Sequence, residues 1–105
     1  MAAGDGVRQT LYAAVVGYEW LAEALAALRD VEEHEVMQVL AAPRRMPIAA
    51  QSAGVRFLTI SGRTAGGRPL VVAVRLLGEL DQQIIGAREL TPAESARFEA
   101  WEATS

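Results

Sequence analysis

Three arginines stand one on each of three successive apolar stretches of the chain. Arg56, Arg75 and Arg88 fall in segments that are typical of β-strands. A guanidinium group keeps its charge in any environment and holds a phosphate or carboxylate with a planar fork. If the strands pair in a suitable register, these groups could together stabilise a phosphate as negative charge develops on it. The alternative is that each arginine pairs with a neighbouring glutamate or extends along the sheet edge.

Other kinds of chemistry find less support in the sequence. The chain has no cysteine, which excludes disulfides and thiolate metal sites. Its single histidine, His34, lies among glutamates that suit a helix start, so we interpret it as a surface residue. The Gly-rich segment 62–68 lacks the lysine of a P-loop and joins two strands, which favours a long hairpin turn. Its arginines, Arg63 and Arg68, could still reach an RNA backbone. We predict no metal and no cofactor.

Size and composition fit one domain. The chain has 105 residues, of which 51% are hydrophobic, and we predict a flexible tail over residues 1–10 followed by a domain over 11–105. The formal charge of −3 argues against strong non-specific attraction to nucleic acid. No apolar run approaches the roughly 20 residues that cross a bilayer. We therefore predict a cytoplasmic protein with no membrane partner.

The first half of the chain indicates helices. Residues 11–18 fit a strand or a helix, and from Glu19 onward apolar residues recur at helical spacing. Asp30 and Glu33 form the pattern of a capping box, which predicts a second helix that ends before Pro43. Segment 44–54 is rich in turn-forming residues and is interpreted as a loop.

The second half indicates strands and a last helix. Three apolar segments at 55–61, 69–77 and 82–88 are separated by turns too short for a crossover, so they should pair antiparallel. The middle segment is apolar at nearly every position, which is typical of a central strand. Thr91 and Glu94 form a further capping box, with Pro92 at the first helical position.

These elements predict an α+β domain. Two N-terminal helices would pack on one face of a three- to four-stranded antiparallel meander, and a C-terminal helix would follow. The other face of the central strand would stay open unless the last helix or a partner covers it. An apolar face of that size suggests self-association, so a homo-oligomer is expected.

An ordered set of short segments resembles the BrnT family, the ribonuclease toxins of toxin–antitoxin pairs. The matching segments cover roughly residues 19–99 and are 36–40, 56–60, 62–64, 67–68, 70–72 and 84–91, with Glu94. The last strand of the family usually reads Ile-Ser-Ala-Arg, and this chain has Ile-Gly-Ala-Arg at 85–88. In the family a basic-His-Gly-Val turn joins the first two helices. Here Arg29 stands at the histidine position.

The resemblance implies a RelE-like α+β fold and metal-independent RNA cleavage, with activity that is weak or lost because the histidine is absent. It also implies a ribbon-helix-helix antitoxin as partner. The residues that would carry catalysis are Arg56, Arg75 and Arg88 as phosphate clamps and Glu89 as base. Those that would bind substrate are Arg29, Arg63 and Arg68. The alternative, from another class, is a non-catalytic interaction or self-associating module.

Overall fold

A computed structural model describes residues 17–78 and 81–104 of the chain. The predicted tail and most of the ambiguous segment 11–18 lie outside these residues. In chain order the elements are β1 (Tyr18–Trp20), α1 (Ala22–Ala26), α2 (Glu33–Ala41), β2 (Arg45–Ser52), β3 (Val55–Arg63), β4 (Pro69–Leu76), β5 (Gln82–Glu89) and α3 (Pro92–Thr104).

The strands form one mixed sheet. Its order is β1-β5-β4-β3-β2, so β4 is central and β2 lies at one edge. Strand β1 pairs parallel to β5, whereas the other neighbours pair antiparallel. The predicted fold class is therefore wrong. The chain does not place two helices before a meander of three or four strands; it begins its described part with a strand, and five strands make the sheet.

The first residues of the first predicted helix belong to β1 instead. Trp20 pairs with Ile84, and the backbone N–H of Leu21 donates to the Ile84 carbonyl at 3.0 Å. Only one short helix, α1, remains of the predicted run. Sheet pairing and the packing of Trp20 against the core outweigh the local preference of Glu19 for helix.

The predicted loop 44–54 contains an eight-residue edge strand, β2. Pro47 contributed to the prediction of a loop here. Proline is nevertheless tolerated on an edge strand where its nitrogen faces solvent. A two-residue turn, Ala53-Gly54, then leads into β3. Both turn residues have positive φ, 51° and 80°, which is the geometry of a type I′ hairpin turn and fixes the pairing of Ser52 with Val55.

Helix α2 supplies the core on one face of the sheet. Its start differs from the prediction, because Glu32 rather than Asp30 precedes the helix and its N–H donates to the Glu35 side chain at 2.9 Å. Asp30 instead takes a left-handed φ of 60°. The buried cluster is made of Val31, Val36, Val39, Leu40, Ile60, Leu70, Val72, Val74 and Ile84. The helix comes so near β3 that a Cβ on Gly62 would lie 3.1 Å from Cγ1 of Val39.

Helix α3 covers part of the opposite face. Its capping box is confirmed, since Thr91 and Glu94 exchange hydrogen bonds of 2.8 and 3.2 Å. Phe98 is 1% exposed, and the guanidinium carbon of Arg63 lies 5.5 Å from its ring centroid. Arg63 also forms two hydrogen bonds of 2.7 and 2.8 Å to the carboxylate of Glu102. Within the described ranges, no helix has the length and apolar character needed to cross a bilayer.

Candidate functional site

Two of the three predicted phosphate-binding arginines reach one cleft at an end of the sheet. We call it the distal cleft; it encloses about 360 Å³. Its lining residues are Arg56, Phe57, Leu58, Val74, Arg75, Leu76 and Gln82. The β2–β3 and β4–β5 turns lie at this same end. Strands β3, β4 and β5 all contribute to the lining, so the antiparallel register of the sheet creates the cleft.

The two arginines approach the distal cleft from opposite faces of the sheet. Side chains alternate along a strand, so Arg56 shares the α2 face with Leu58, whereas Arg75 lies on the other face. The Nε of Arg75 donates to the Gln83 side chain at 2.9 Å, across the β4–β5 pair. In the part of the chain that the structure describes, Arg56 has no ion pair or side-chain hydrogen bond. Both groups therefore keep N–H donors for a ligand.

The third arginine lies elsewhere. Arg88 pairs with Val71, four positions along β4 from Arg75, a distance of roughly 13 Å at the usual rise of a strand. Its guanidinium donates to both oxygens of Glu94 at 2.7 and 2.9 Å. This contact raises the pKa of Arg88 and lowers the pKa of Glu94 to about 2. The structure thus does not bring the three guanidinium groups together.

Glu89, the predicted base, is held in a separate ion-pair cluster on the α2 face. Its carboxylate accepts a hydrogen bond of 2.6 Å from Arg68, and Arg68 also binds Glu35 at 3.0 Å. Arg68 further donates to the carbonyl of Asp30. The pKa of Arg68 is raised mainly by Glu89, and the pKa of Glu35 is lowered mainly by the N–H of Glu32. The cluster ties β4 and β5 to the loop and start of α2.

The remaining predicted substrate-binding residues also lie away from the distal cleft. Arg63 binds Glu102 of α3, which raises the pKa of Arg63 and lowers the pKa of Glu102. Arg29 lies exposed on the loop between the first two helices and donates to the Leu28 carbonyl at 3.0 Å. Arg63 thus anchors a helix, and Arg29 lies on the surface.

The distal cleft continues into exposed apolar side chains that sequence reasoning did not single out. Leu76 is 67% exposed, Leu77 47%, Val55 39% and Leu58 37%. All four stand at the same end of the sheet as the cleft. The sequence signal was present in the apolar run of β4, whose last residues extend past the cover of α2 and α3. The Arg56 guanidinium group and an apolar wall thus share the α2 face, and Arg75 lies at the same end of the sheet on the other face.

The geometry of this surface suits binding more than proton transfer. Among residues 17–78 and 81–104, no carboxylate and no histidine lines the distal cleft; Asp81 lies next to Gln82 in the β4–β5 turn. His34 is on α2, beside Glu33 and Met37 in a separate shallow groove. The described residues also contain no group of three or more side chains that could hold a metal ion.

Comparison with known proteins gives no family assignment. No family model matches the chain, and no curated protein matches it at the significance required. Inference about function therefore depends on the residues and their geometry.

Proposed function

We propose that the chain is a non-catalytic interaction module that binds an acidic, partly apolar segment of a partner protein at the distal cleft. The observation that carries this proposal is that Arg56, Arg75 and exposed leucines all lie at one end of the sheet, where both arginines line the same cleft. Arginine and large apolar side chains are the residue types that contribute most to protein interfaces. A cytoplasmic location belongs to the same proposal.

The local charge of the cleft supports an acidic ligand. The whole chain carries a formal charge of −3, whereas the described lining of the distal cleft has two guanidinium groups and no carboxylate. Arg56 and Arg75 could each hold a carboxylate through paired N–H donors. Leu76 and Leu58 would then contact apolar side chains next to those carboxylates. A small acidic partner such as an antitoxin of the ribbon-helix-helix type is one chain that could present such a segment.

A second function is favoured by a specific feature of the same cleft. Phe57 also lines the cleft, and an aromatic ring together with guanidinium groups is a common combination for stacking a base and holding its phosphate. This second candidate is RNA binding with weak, metal-independent cleavage, as the BrnT resemblance implies. Glu89 pairs with Leu70, roughly 13–20 Å along β4 from the cleft residues Val74 and Leu76, so the distal cleft supports binding of RNA better than its cleavage.

One experiment separates the two functions. The wild-type chain, Arg56→Ala, Arg75→Ala and the control Arg97→Ala are titrated against a labelled peptide of alternating Glu and Leu and against a single-stranded RNA oligonucleotide. Arg97 is an exposed arginine of α3 outside the distal cleft, so its variant matches the change in charge. We expect either cleft variant to weaken peptide binding by about tenfold, the loss of one charge-assisted contact, and the control to have no effect.

The outcome for RNA decides the second function. If RNA is the ligand, its affinity falls with salt by a slope of about −0.7 for each phosphate held, and Arg75→Ala removes RNA cleavage and any growth inhibition. If neither ligand responds to Arg56→Ala or Arg75→Ala while both variants stay folded, the distal cleft is not the binding site. Co-expression with the product of the adjacent gene is an independent test of the partner, because the proposal requires the cleft variants to fail to form that complex.

A further inference from the structure

Within residues 17–78 and 81–104, the outer edge of β2 has no partner strand for its backbone groups. Strand β2 runs from Arg45 to Ser52 and pairs on one side with β3, and no described strand pairs with its other side. An exposed strand of this length is a template for pairing with a further strand, and proteins usually shorten such strands or charge them. Here the centre is apolar, and the only charged residue is Arg45 at the start.

The hairpin turn determines which residues of β2 direct their backbone N–H and C=O groups to the open edge. In a two-residue hairpin the flanking pair, Ser52 and Val55, is hydrogen-bonded. Hydrogen-bonded pairs alternate along antiparallel strands, so even-numbered residues of β2 direct their backbone groups to β3. The Ile48 carbonyl agrees, because it accepts a hydrogen bond of 3.1 Å from the Thr59 hydroxyl of β3. Odd-numbered residues from Arg45 to Gln51 therefore direct their backbone groups to the open edge.

We infer that this edge is a dimer interface, at which β2 pairs antiparallel with β2 of a second copy of this chain. The pairing is centred on Ile48, so that Ile48 faces Ile48 of the partner subunit. In that register Pro47 stands opposite Ala49, and Arg45 stands opposite Gln51. No charge faces a like charge, and apolar residues meet apolar residues, so the strand is complementary to itself.

Pro47 selects this register among the alternatives. Its nitrogen faces the open edge and has no hydrogen to donate. A register centred on Ile48 pairs Arg45 fully with Gln51 and keeps roughly six backbone hydrogen bonds, whereas centring on Pro47 or on Ala49 keeps roughly four. The two sheets would join into one continuous sheet. An interface limited mainly to one strand pair is small, so a dissociation constant on the order of 1–100 μM is expected.

Single cysteines test the register, because the chain contains none. Residues opposite each other in a non-hydrogen-bonded antiparallel pair have Cα atoms about 4.5 Å apart, within the range of a disulfide. Ile48→Cys should therefore oxidise to a disulfide-linked dimer in most of the protein. Ala49→Cys lies diagonally from its own copy and should link poorly. Leu25→Cys on α1, with 38% exposure against 36% for Ile48, controls for random collision.

A charge exchange gives the second test. Ile48→Lys and Ile48→Glu should each raise the dissociation constant at least about tenfold above that of the wild type, as measured by light scattering over a concentration series. A mixture of the two should form a dimer again, since opposite charges then face each other. Leu25→Lys should dimerise like the wild type. Arg56 and Arg75 take no part in this dimer interface. The dimer can therefore be tested even if ligand binding at the distal cleft is disproved.

Three results would overturn the inference. The first is a wild-type chain that stays monomeric up to about 1 mM, a concentration tenfold above the weakest expected dissociation constant. The second is a dimer that Ile48→Lys leaves intact. The third is a monomer whose backbone amides at Ala49 and Gln51 resist hydrogen exchange, which would mean that another segment of the same chain covers the edge.

Discussion

The ion pair between Arg88 and Glu94 gives the stability of the protein a defined dependence on pH. The Glu94 carboxylate accepts two hydrogen bonds from Arg88 and one of 2.8 Å from the Thr91 N–H. These contacts, with Arg88 as the largest cause, lower the pKa of Glu94 from 4.5 to about 2. Because the folded pKa lies below the unfolded one, the stabilisation is complete above about pH 4.5 and is lost as the pH falls toward 2.

The magnitude follows from the size of this shift. The pKa of Glu94 falls by about 2.5, which corresponds to a free energy of roughly 3.4 kcal/mol at 1.36 kcal/mol per unit of pKa. The Arg88 side chain is 56% exposed and Glu94 27%, so water and salt screen much of the attraction. We therefore expect Glu94→Gln to lower the free energy of unfolding by about 1–2 kcal/mol at pH 7.

Urea unfolding at several pH values is the assay. The difference in unfolding free energy between the wild type and Glu94→Gln should be constant from pH 7 to 5. It should then decrease toward zero as the pH falls to 2. Glu19→Gln, an exposed position on β1, is the control and should match the wild type throughout. A gap that is absent at pH 7, or one that persists unchanged at pH 2, would refute the reasoning.

Two further substitutions test the fold. Gly62→Ala should destabilise the protein by about 1–2 kcal/mol, because the added Cβ would lie 3.1 Å from the Val39 side chain and 3.6 Å from the Val39 backbone oxygen. Its control is Gly86→Ala, since a Cβ added at this strand glycine would meet nothing within 4 Å. In the same urea assay, the control should be neutral or stabilising. Ala53→Gly should stabilise by about 0.5 kcal/mol by relieving the left-handed conformation of the turn, whereas Ala50→Gly within β2 should destabilise. Equal effects within either pair would contradict the geometry.

The sequence predicted the strands whose signals are local. The apolar run of β4 and the short turns on each side of it indicated a central strand with antiparallel neighbours, and this is what the structure has. Thr91 and Glu94 predicted the start of α3 correctly, because a capping box lies within one turn of a helix. Information of this kind is contained in a few adjacent residues.

The two edge strands could not be predicted in the same way. Strand β1 has three residues and exists because β5 lies next to it, some sixty residues later in the chain. In β2, Pro47 is acceptable only because its nitrogen faces away from β3, a fact that depends on the hairpin register. Local propensity favoured a helix in the first case and a loop in the second, and pairing decided both.

The candidate site shows the same limit. Arg56, Arg75 and Arg88 each fall on a strand as predicted, but convergence depends on register, which composition and spacing do not reveal. The register pairs Arg75 with Gln83 and Arg88 with Val71, so the two groups end near opposite ends of β4. The glutamate that neutralises Arg88 stands only six positions later in the sequence, so pairing with a nearby carboxylate was the alternative that local spacing could indicate.

The parallel pairing of β1 with β5 also sets an order of assembly. Residue 18 leaves the ribosome long before its neighbour, residue 82, has been synthesised, so the first strand of the described residues must wait for β5. Without residues 82–89, β1 and one flank of β4 both lack their partner strand. Closing so long a loop costs entropy and slows the final step. A released chain that ends before residue 82 should therefore be the form that chaperones capture.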